Sequence, residues 1–161
     1  MDMKERGANI SKLRSGAEVT PKPAAATDDG VCEFWSMIDD QKKLIADVWL
    51  SNQSAAVRAK FLSRWKVLRQ TPVKDWRRDP YSDLRGDGDG LGEIRFFVDK
   101  VQHRPIGYHD RNTFVLVFFA IEKGDKFEPR NTVAVSQKRK KAILEDPKLK
   151  QEMNRGRLKL T

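Results

Sequence analysis

The chain has 161 residues, 39% of them hydrophobic, which is enough to bury the core of one domain. Its net charge of +9 favours an anionic partner such as nucleic acid, although a soluble protein with a lysine-rich tail explains the charge equally well. The longest apolar run, residues 114–121, is too short to cross a bilayer, no secretory signal pattern opens the chain, and one cysteine permits no internal disulfide. These features predict a cytoplasmic protein without a membrane segment.

The first 30 residues have the composition of a disordered leader. They carry five basic and five acidic side chains, a linker rich in proline and alanine, and no apolar period. The composition changes at residue 31, and an aromatic, apolar run indicates a first strand over residues 31–38. We therefore expect one folded domain over residues 31–146, followed by a basic tail over residues 147–161.

Two amphipathic helices are expected after this strand. Asp39 and Asp40 are suited to begin the first helix, whose apolar residues fall at helical spacing. A second helix spans residues 54–70 and ends there, because the residue before Pro72 avoids the helical conformation. The residues expected on its buried face are Val57, Phe61, Trp65 and Leu68.

Residues 73–90 are expected to form a loop that ends in a glycine- and aspartate-rich turn. Aromatic and arginine side chains in this loop, including Trp76, Arg77 and Arg78, are able to stack on RNA. For Trp76 itself we favour a role as an anchor against the core. The turn over residues 86–90 matches neither an EF-hand nor a G-x-G-x-x-G motif, so we interpret it as a tight entry to a strand.

An antiparallel meander follows the turn. Residues 93–98 alternate between apolar and polar positions, a tight turn falls at residues 99–100, and residues 101–108 run back. A polar turn over residues 109–112 leads to residues 113–121, which are apolar on both faces and indicate a central strand covered on both sides. We expect the helices before and after the meander to pack on one face of the sheet.

The excess positive charge lies at the end of the chain, where residues 131–161 carry nine basic and three acidic side chains, a net charge of +6. A last helix is expected from Glu128-Pro129 to about Glu145, since proline is well tolerated in a first helical turn. Its basic run is either a solvated face or a contact surface for a polynucleotide backbone, and residues 148–161 are expected to fray. That run consists of Lys138, Arg139, Lys140 and Lys141.

These elements together predict an α+β fold. It consists of a compact antiparallel sheet, made of the three-stranded meander and the N-terminal strand, with two N-terminal helices and one C-terminal helix.

No metal site, cofactor site or activated nucleophile is indicated. There is one cysteine, and His103 and His109 lack a clear third ligand, so the chain contains no zinc set, and no serine or cysteine triad can be assembled. Cationic and phenolic side chains on the meander remain as candidates, and strand parity places Arg104 and Tyr108 on one face. The candidates are Arg95, Arg104, Tyr108, His109, Lys123 and Lys126.

Four short segments follow one another in a characteristic order. They are Leu-Arg-Gly at residues 84–86, LGEIRF at 91–96, RPIGY at 104–108 and AIEKGDKF at 120–127. In their order and spacing they resemble the RelE/ParE toxin superfamily, and most closely its phage-derived HigB-like branch. The resemblance covers about residues 31–145.

This resemblance implies a compact sheet with two N-terminal helices on one face and a concave opposite face that enters the ribosomal A site and cuts mRNA. It implies no cofactor, because RNA is cleaved by its own 2′-hydroxyl with proton-transferring groups and cations around the phosphate. The implied partners are mRNA on the ribosome and a cognate antitoxin, expected to be a helix-turn-helix protein. Two alternatives remain open: a non-enzymatic ParE-like gyrase poison, and a phage-derived module that only binds RNA.

The resemblance also suggests site residues. By position, Arg95, Arg104 and Lys123 resemble the family's basic site residues, whereas Glu93 stands where RelE has a lysine. The tyrosine near the end of RelE has no clear counterpart, so Tyr108 or His109 is expected to substitute for it. The catalytic candidates are therefore Arg95, Arg104, Tyr108, His109 and Lys123. The candidates for RNA contact are Arg85, Lys126, Arg130, Lys138, Arg139, Lys140 and Lys141.

Overall fold

The computed structural model describes residues 32–76 and 80–153, and within them the fold is α+β, as expected. The strands in these ranges are β1 (Glu33–Met37), β2 (Tyr81–Asp83), β3 (Gly92–Ile94), β4 (Phe96–Val98), β5 (Val101–Asp110), β6 (Thr113–Lys123), β7 (Lys126–Glu128) and β8 (Lys150–Glu152). The α-helices are α1 (Ile45–Ser51), α2 (Ala55–Arg69) and α3 (Thr132–Glu145). None of these helices is long and apolar enough to cross a membrane.

All eight described strands belong to one mixed sheet, ordered β2-β3-β5-β6-β1-β8, in which β4 pairs with β5 and β7 pairs with β6. The expected strand over residues 93–98 is divided at Arg95 into β3 and β4. The two-residue turn at Asp99 and Lys100 is confirmed, and both residues have the positive φ angles (49° and 67°) of a type I′ hairpin. β5 continues to Asp110, so His109 lies in a strand rather than in a turn.

The central strand β6 is covered on both sides, as its apolar pattern predicts. Phe114 and Leu116 belong to a core shared with α1 and α2, whereas Val115 and Val117 belong to a second core that includes Ile143 of α3. The expectation that all helices pack on one face was therefore wrong. Since successive side chains of a strand point to opposite faces, an apolar run of this length needs cover on both.

A β-bulge interrupts the pairing of β5 with β6. Ile106 is opposite Phe118, but the next residue, Gly107, is opposite Leu116, so Val117 is the extra residue of β6. A side chain at Gly107 has no space, because a Cβ atom there would lie 2.4 Å from the backbone oxygen of Val115. The bulge brings both Val117 and Phe118 to the face that α3 covers.

The N-terminal helices differ in how closely they follow the sequence pattern. Helix α1 begins at Ile45 and not at Asp39 or Asp40, because the Asp39 side chain accepts the backbone N–H groups of Gln41 and Lys43, at 2.8 and 2.9 Å, and closes a turn. Helix α2 agrees with its prediction. The Ser54 hydroxyl caps it by accepting the Val57 N–H, and the four buried side chains are those expected from the helical period.

The loop after α2 contains one unexpected strand. Residues 81–83 pair with β3 as strand β2, although three residues are too few to show a strand period. Trp76 anchors the loop, as expected: it is 8% exposed, its ring stacks on Phe34, and its Nε1 donates to the Thr71 carbonyl at 2.9 Å. Arg77 and Arg78, like the leader expected over residues 1–30, lie outside the described residues.

The end of the described chain is more ordered than expected. Residues 126–128 pair with β6 as strand β7, so α3 begins at Thr132 and not at the Glu128-Pro129 step, whose peptide bond is cis. Residues 150–152 do not fray but pair with β1 as strand β8, and Met153 is 3% exposed in the core beyond it. The sheet therefore continues past residue 146.

Candidate functional site: an arginine–glutamate cluster

Two arginines and two glutamates meet on the face of the sheet that α3 covers in part. Glu93 lies on β3, Arg104 on β5 and Glu122 on β6, and these three strands are neighbours. Arg95, between β3 and β4, completes the group, which we call the Arg–Glu cluster. The strand register brings together residues that are far apart in sequence.

Arg104 is held most tightly. Its Nε lies 2.6 Å from Glu93 Oε1 and its Nη2 lies 3.0 Å from Glu93 Oε2, a bidentate pair. Its third nitrogen, Nη1, is 3.5 Å from Glu122 Oε1, and the centre of the Phe127 ring lies 4.0 Å from the guanidinium carbon. These contacts fix the orientation of the guanidinium group.

Arg95 is held more loosely. Its Nε is 3.9 Å from Glu93 Oε2, and its Nη2 is 3.8 Å from Glu122 Oε1, both longer than a hydrogen bond. The cluster also has a buried side and an open side. The side chains of Glu93 and Arg104 are 3% and 13% exposed, whereas those of Arg95 and Glu122 are 28% and 30% exposed.

Glu93 and Glu122 are the site residues that the sequence did not reveal. In the comparison with RelE, Glu93 stands in place of a lysine, so positive charge is lost at this position. In the structure its buried carboxylate pairs with Arg104, which supplies the opposite charge that a buried carboxylate needs. Glu122 is part of the AIEKGDKF segment, in which nothing marks it as a partner of an arginine. The strand register, which sequence alone does not give, is what places both carboxylates beside the arginines.

Tyr108 shares a face with Arg104, as strand parity predicts, but it lies under α3. It is 1% exposed, it packs in the same core as Ile143, and the Nζ of Lys140 lies 5.4 Å from its ring centre. Its hydroxyl oxygen is buried with no hydrogen-bond partner among the described residues, and burial, assisted by Asp110, raises its pKa to about 12.

His109 lies on the opposite face from Tyr108. Its ring contacts Trp76, Tyr81 and Phe114, with ring centres 4.7, 5.5 and 5.0 Å away. Burial lowers its pKa to about 4, against a smaller opposing effect of Asp83, so the ring is neutral at pH 7. The structure therefore brings neither Tyr108 nor His109 into the Arg–Glu cluster.

The remaining basic candidates outside α3 make no contact with the cluster that the structure shows within the described residues. Lys123 and Lys126 are opposite each other at the β6–β7 turn and are exposed. Glu122 and Phe127, the pair before them, both contact Arg104, so alternation directs the two lysines to the other face. Arg85 and Arg130 are exposed.

The four basic residues of α3 fall into two kinds. Arg139 Nη1 donates to the carbonyl of the bulge residue Val117 at 2.8 Å, its guanidinium lies 5.2 Å from the Phe118 ring, and burial lowers its pKa. Lys140 Nζ donates to the Gly90 carbonyl at 3.2 Å. Lys138 and Lys141, by contrast, are both exposed to solvent.

Within residues 32–76 and 80–153, no group of three or more His, Cys, Asp and Glu side chains is arranged to hold a metal ion. Comparisons with protein-family models, with curated proteins and with solved structures give no match.

Proposed function

We propose that this chain is the toxin of a type II toxin–antitoxin system and that it cleaves mRNA on the ribosome, as its resemblance to the RelE/ParE superfamily implies. The observation that supports this most is the convergence of Arg95 and Arg104 with two carboxylates on one partly open sheet surface. The two N-terminal helices, α1 and α2, also share one core on one face of the sheet, as the resemblance implies.

The chemistry requires few groups. The 2′-oxygen of one nucleotide attacks the adjacent phosphorus, a base removes the 2′-hydroxyl proton, and the 5′-oxygen leaves as the P–O5′ bond breaks. Negative charge grows on the phosphate oxygens, where a guanidinium group offers both charge and paired N–H donors. Arg104, already oriented by Glu93 and Phe127, is suited to this task, and Arg95 on the open side is suited to bind the incoming phosphate.

The proposed partners follow from the same reaction. The substrate is mRNA in the ribosome, so the toxin acts in the cytoplasm, and a cognate antitoxin, proposed to be a helix-turn-helix protein, restrains it. The lysines at residues 123, 126, 138 and 141 provide contacts for RNA phosphates outside the cluster.

Induced expression in bacteria tests the toxin role. The wild-type chain should arrest growth and stop incorporation of labelled amino acids, and Arg104→Lys should relieve both because lysine cannot donate the paired hydrogen bonds. Arg111→Lys, in the exposed turn between β5 and β6, is the matched control and should stay toxic. Full toxicity of Arg104→Lys at equal protein levels would remove the cluster from the proposal.

A non-enzymatic poison of the ParE type is the second candidate. One observation favours it: the Arg–Glu cluster holds two positive and two negative side chains, so the cluster itself has no net charge to attract RNA. Inhibited DNA supercoiling by purified gyrase, with protein synthesis and mRNA intact, would select this candidate.

A further inference from the structure

The two carboxylates of the Arg–Glu cluster differ in their availability for proton transfer. Glu93 is 3% exposed, and both of its oxygens are within 3.0 Å of Arg104 nitrogens. Glu122 is 30% exposed, and its contacts with Arg104 and Arg95 are longer, at 3.5 and 3.8 Å. A base must reach the hydroxyl that it deprotonates. Of these two carboxylates, Glu122 is the one that solvent can reach, and it also contacts both arginines.

The arginines around Glu122 provide a place for a phosphate beside it. Arg104 on β5 and Arg95 after β3 face it, and Glu93 on β3 lies behind them as the partner of Arg104. A phosphate bound by the two arginines would therefore sit beside the Glu122 carboxylate. Its neighbouring 2′-hydroxyl group would then be within reach of that carboxylate, while Glu93 remains occupied.

We propose that Glu122 is the proton acceptor of the RNA cleavage reaction, an inference that rests on the proposed function. In this step Glu122 takes the 2′-hydroxyl proton, the 2′-oxygen forms a bond to phosphorus, and the P–O5′ bond breaks. The leaving 5′-oxygen takes a proton from water, and Glu122 returns its own proton to solvent. The products are a 2′,3′-cyclic phosphate and a 5′-hydroxyl end, and no co-reactant is consumed.

Single-turnover cleavage of a short mRNA on purified ribosomes tests this assignment. Glu122→Gln keeps the shape of the side chain but cannot accept the proton, so the maximal rate should fall by about 100-fold or more with little change in the concentration for half-maximal rate. Glu122→Asp should recover part of the rate. Glu145→Gln, at the exposed end of α3, is the matched control and should cleave like the wild type.

The pH dependence separates proton transfer from a role in holding the arginines. The wild-type rate should decline towards acid pH, and this decline should be absent in Glu122→Gln. A decrease of equal size at every pH, with the decline retained, would mean that Glu122 only positions Arg95 and Arg104, and it would overturn the proposal. Melting temperatures of all variants show whether each remains folded.

The outcomes also separate this inference from the proposed function. If the wild type cleaves and Glu122→Gln cleaves within about threefold of it, the assignment of Glu122 is wrong while the nuclease function stands. If the wild type leaves ribosome-bound mRNA intact, both are wrong. Cleavage that depends on Glu122 in rate and in pH profile is the expected result.

Discussion

Glu93 and Arg104 form a bidentate ion pair across neighbouring strands, with nitrogen–oxygen distances of 2.6 and 3.0 Å. The pair is nearly shielded from water, since Glu93 is 3% and Arg104 13% exposed. A buried charge without a partner is strongly destabilising, so each residue supplies the opposite charge that the other needs at this position in the sheet. The same contact orients the guanidinium group that we propose for phosphate binding.

Removing one partner should therefore cost more stability than removing an isolated surface charge. Glu93→Ala should lower the free energy of unfolding by about 3 kcal/mol, because it leaves Arg104 partly buried without its main partner. Urea denaturation followed by circular dichroism measures this, and Glu145→Ala, on the exposed end of α3, should change stability by less than about 0.5 kcal/mol. Equal small losses in both variants would contradict the structural role of the pair.

A double replacement tests whether the unpaired charge causes this loss of stability. Glu93→Leu combined with Arg104→Met removes both charges and keeps apolar volume, so it should be more stable than Glu93→Ala. If the double variant is the less stable one, the hydrogen bonds of the pair contribute more than the burial of charge costs.

Arg139 should behave as a structural residue although it belongs to a basic run. Arg139→Gln removes the hydrogen bond to the Val117 carbonyl and the packing on Phe118, so it should lower the free energy of unfolding by about 1–3 kcal/mol. Lys141→Gln, on the exposed side of the same helix, should change it by less than about 0.5 kcal/mol. Urea denaturation of the two variants side by side makes the comparison. An Arg139 variant as stable as the wild type would show that these two contacts do not stabilise the fold.

The solvent-facing lysines of α3 should instead affect binding. Lys138→Gln combined with Lys141→Gln should weaken ribosome binding and flatten its dependence on salt, by about 0.7–0.9 units of log–log slope for each phosphate that is no longer neutralised. The cleavage position on saturating ribosomes should not change, because phosphate contacts carry no sequence information. Binding measured between low and moderate salt gives the slope. An unchanged slope would mean that this face is merely solvated.

His109 should make the folded protein sensitive to acid. Its folded-state pKa of about 4 lies below the ordinary value of 6.5, so the folded state disfavours the charged ring. The stability due to the neutral ring is fully present above pH 6.5 and is lost as the pH falls towards 4, by up to about 3 kcal/mol. Urea denaturation at several pH values should show this loss, and it should be smaller in His109→Gln. Because burial also lowers the pKa of His103, some acid sensitivity should persist in that variant.

The sequence predicts best the elements that are long enough for their apolar pattern to show which of their faces are buried. The buried face of α2 and the two-sided apolar pattern of β6 agree with the structure because each spans enough residues to show its period. β2 and β7, with three residues each, are too short for such a pattern. The start of α1 was misplaced because an aspartate caps a turn by the same backbone contacts with which it caps a helix.

The candidate site was predictable only in part. Arg95 and Arg104 stand out as charged residues within strand patterns, and the structure brings them together. Their glutamate partners depend on the register between β3, β5 and β6. The bulge at Val117 shifts the register of β5 with β6, and no local sequence pattern predicts this bulge. Tyr108 and His109 were adjacent polar candidates, but adjacent residues of a strand face opposite sides, and helix α3 and Trp76 respectively cover them.

Primer extension on mRNA incubated with the purified protein, with and without ribosomes, tests the central claim most directly. The proposed function predicts new 5′ ends only when ribosomes are present, and their absence with Arg104→Lys but not with Arg111→Lys. Intact mRNA in the presence of ribosomes and of folded wild-type protein would contradict it.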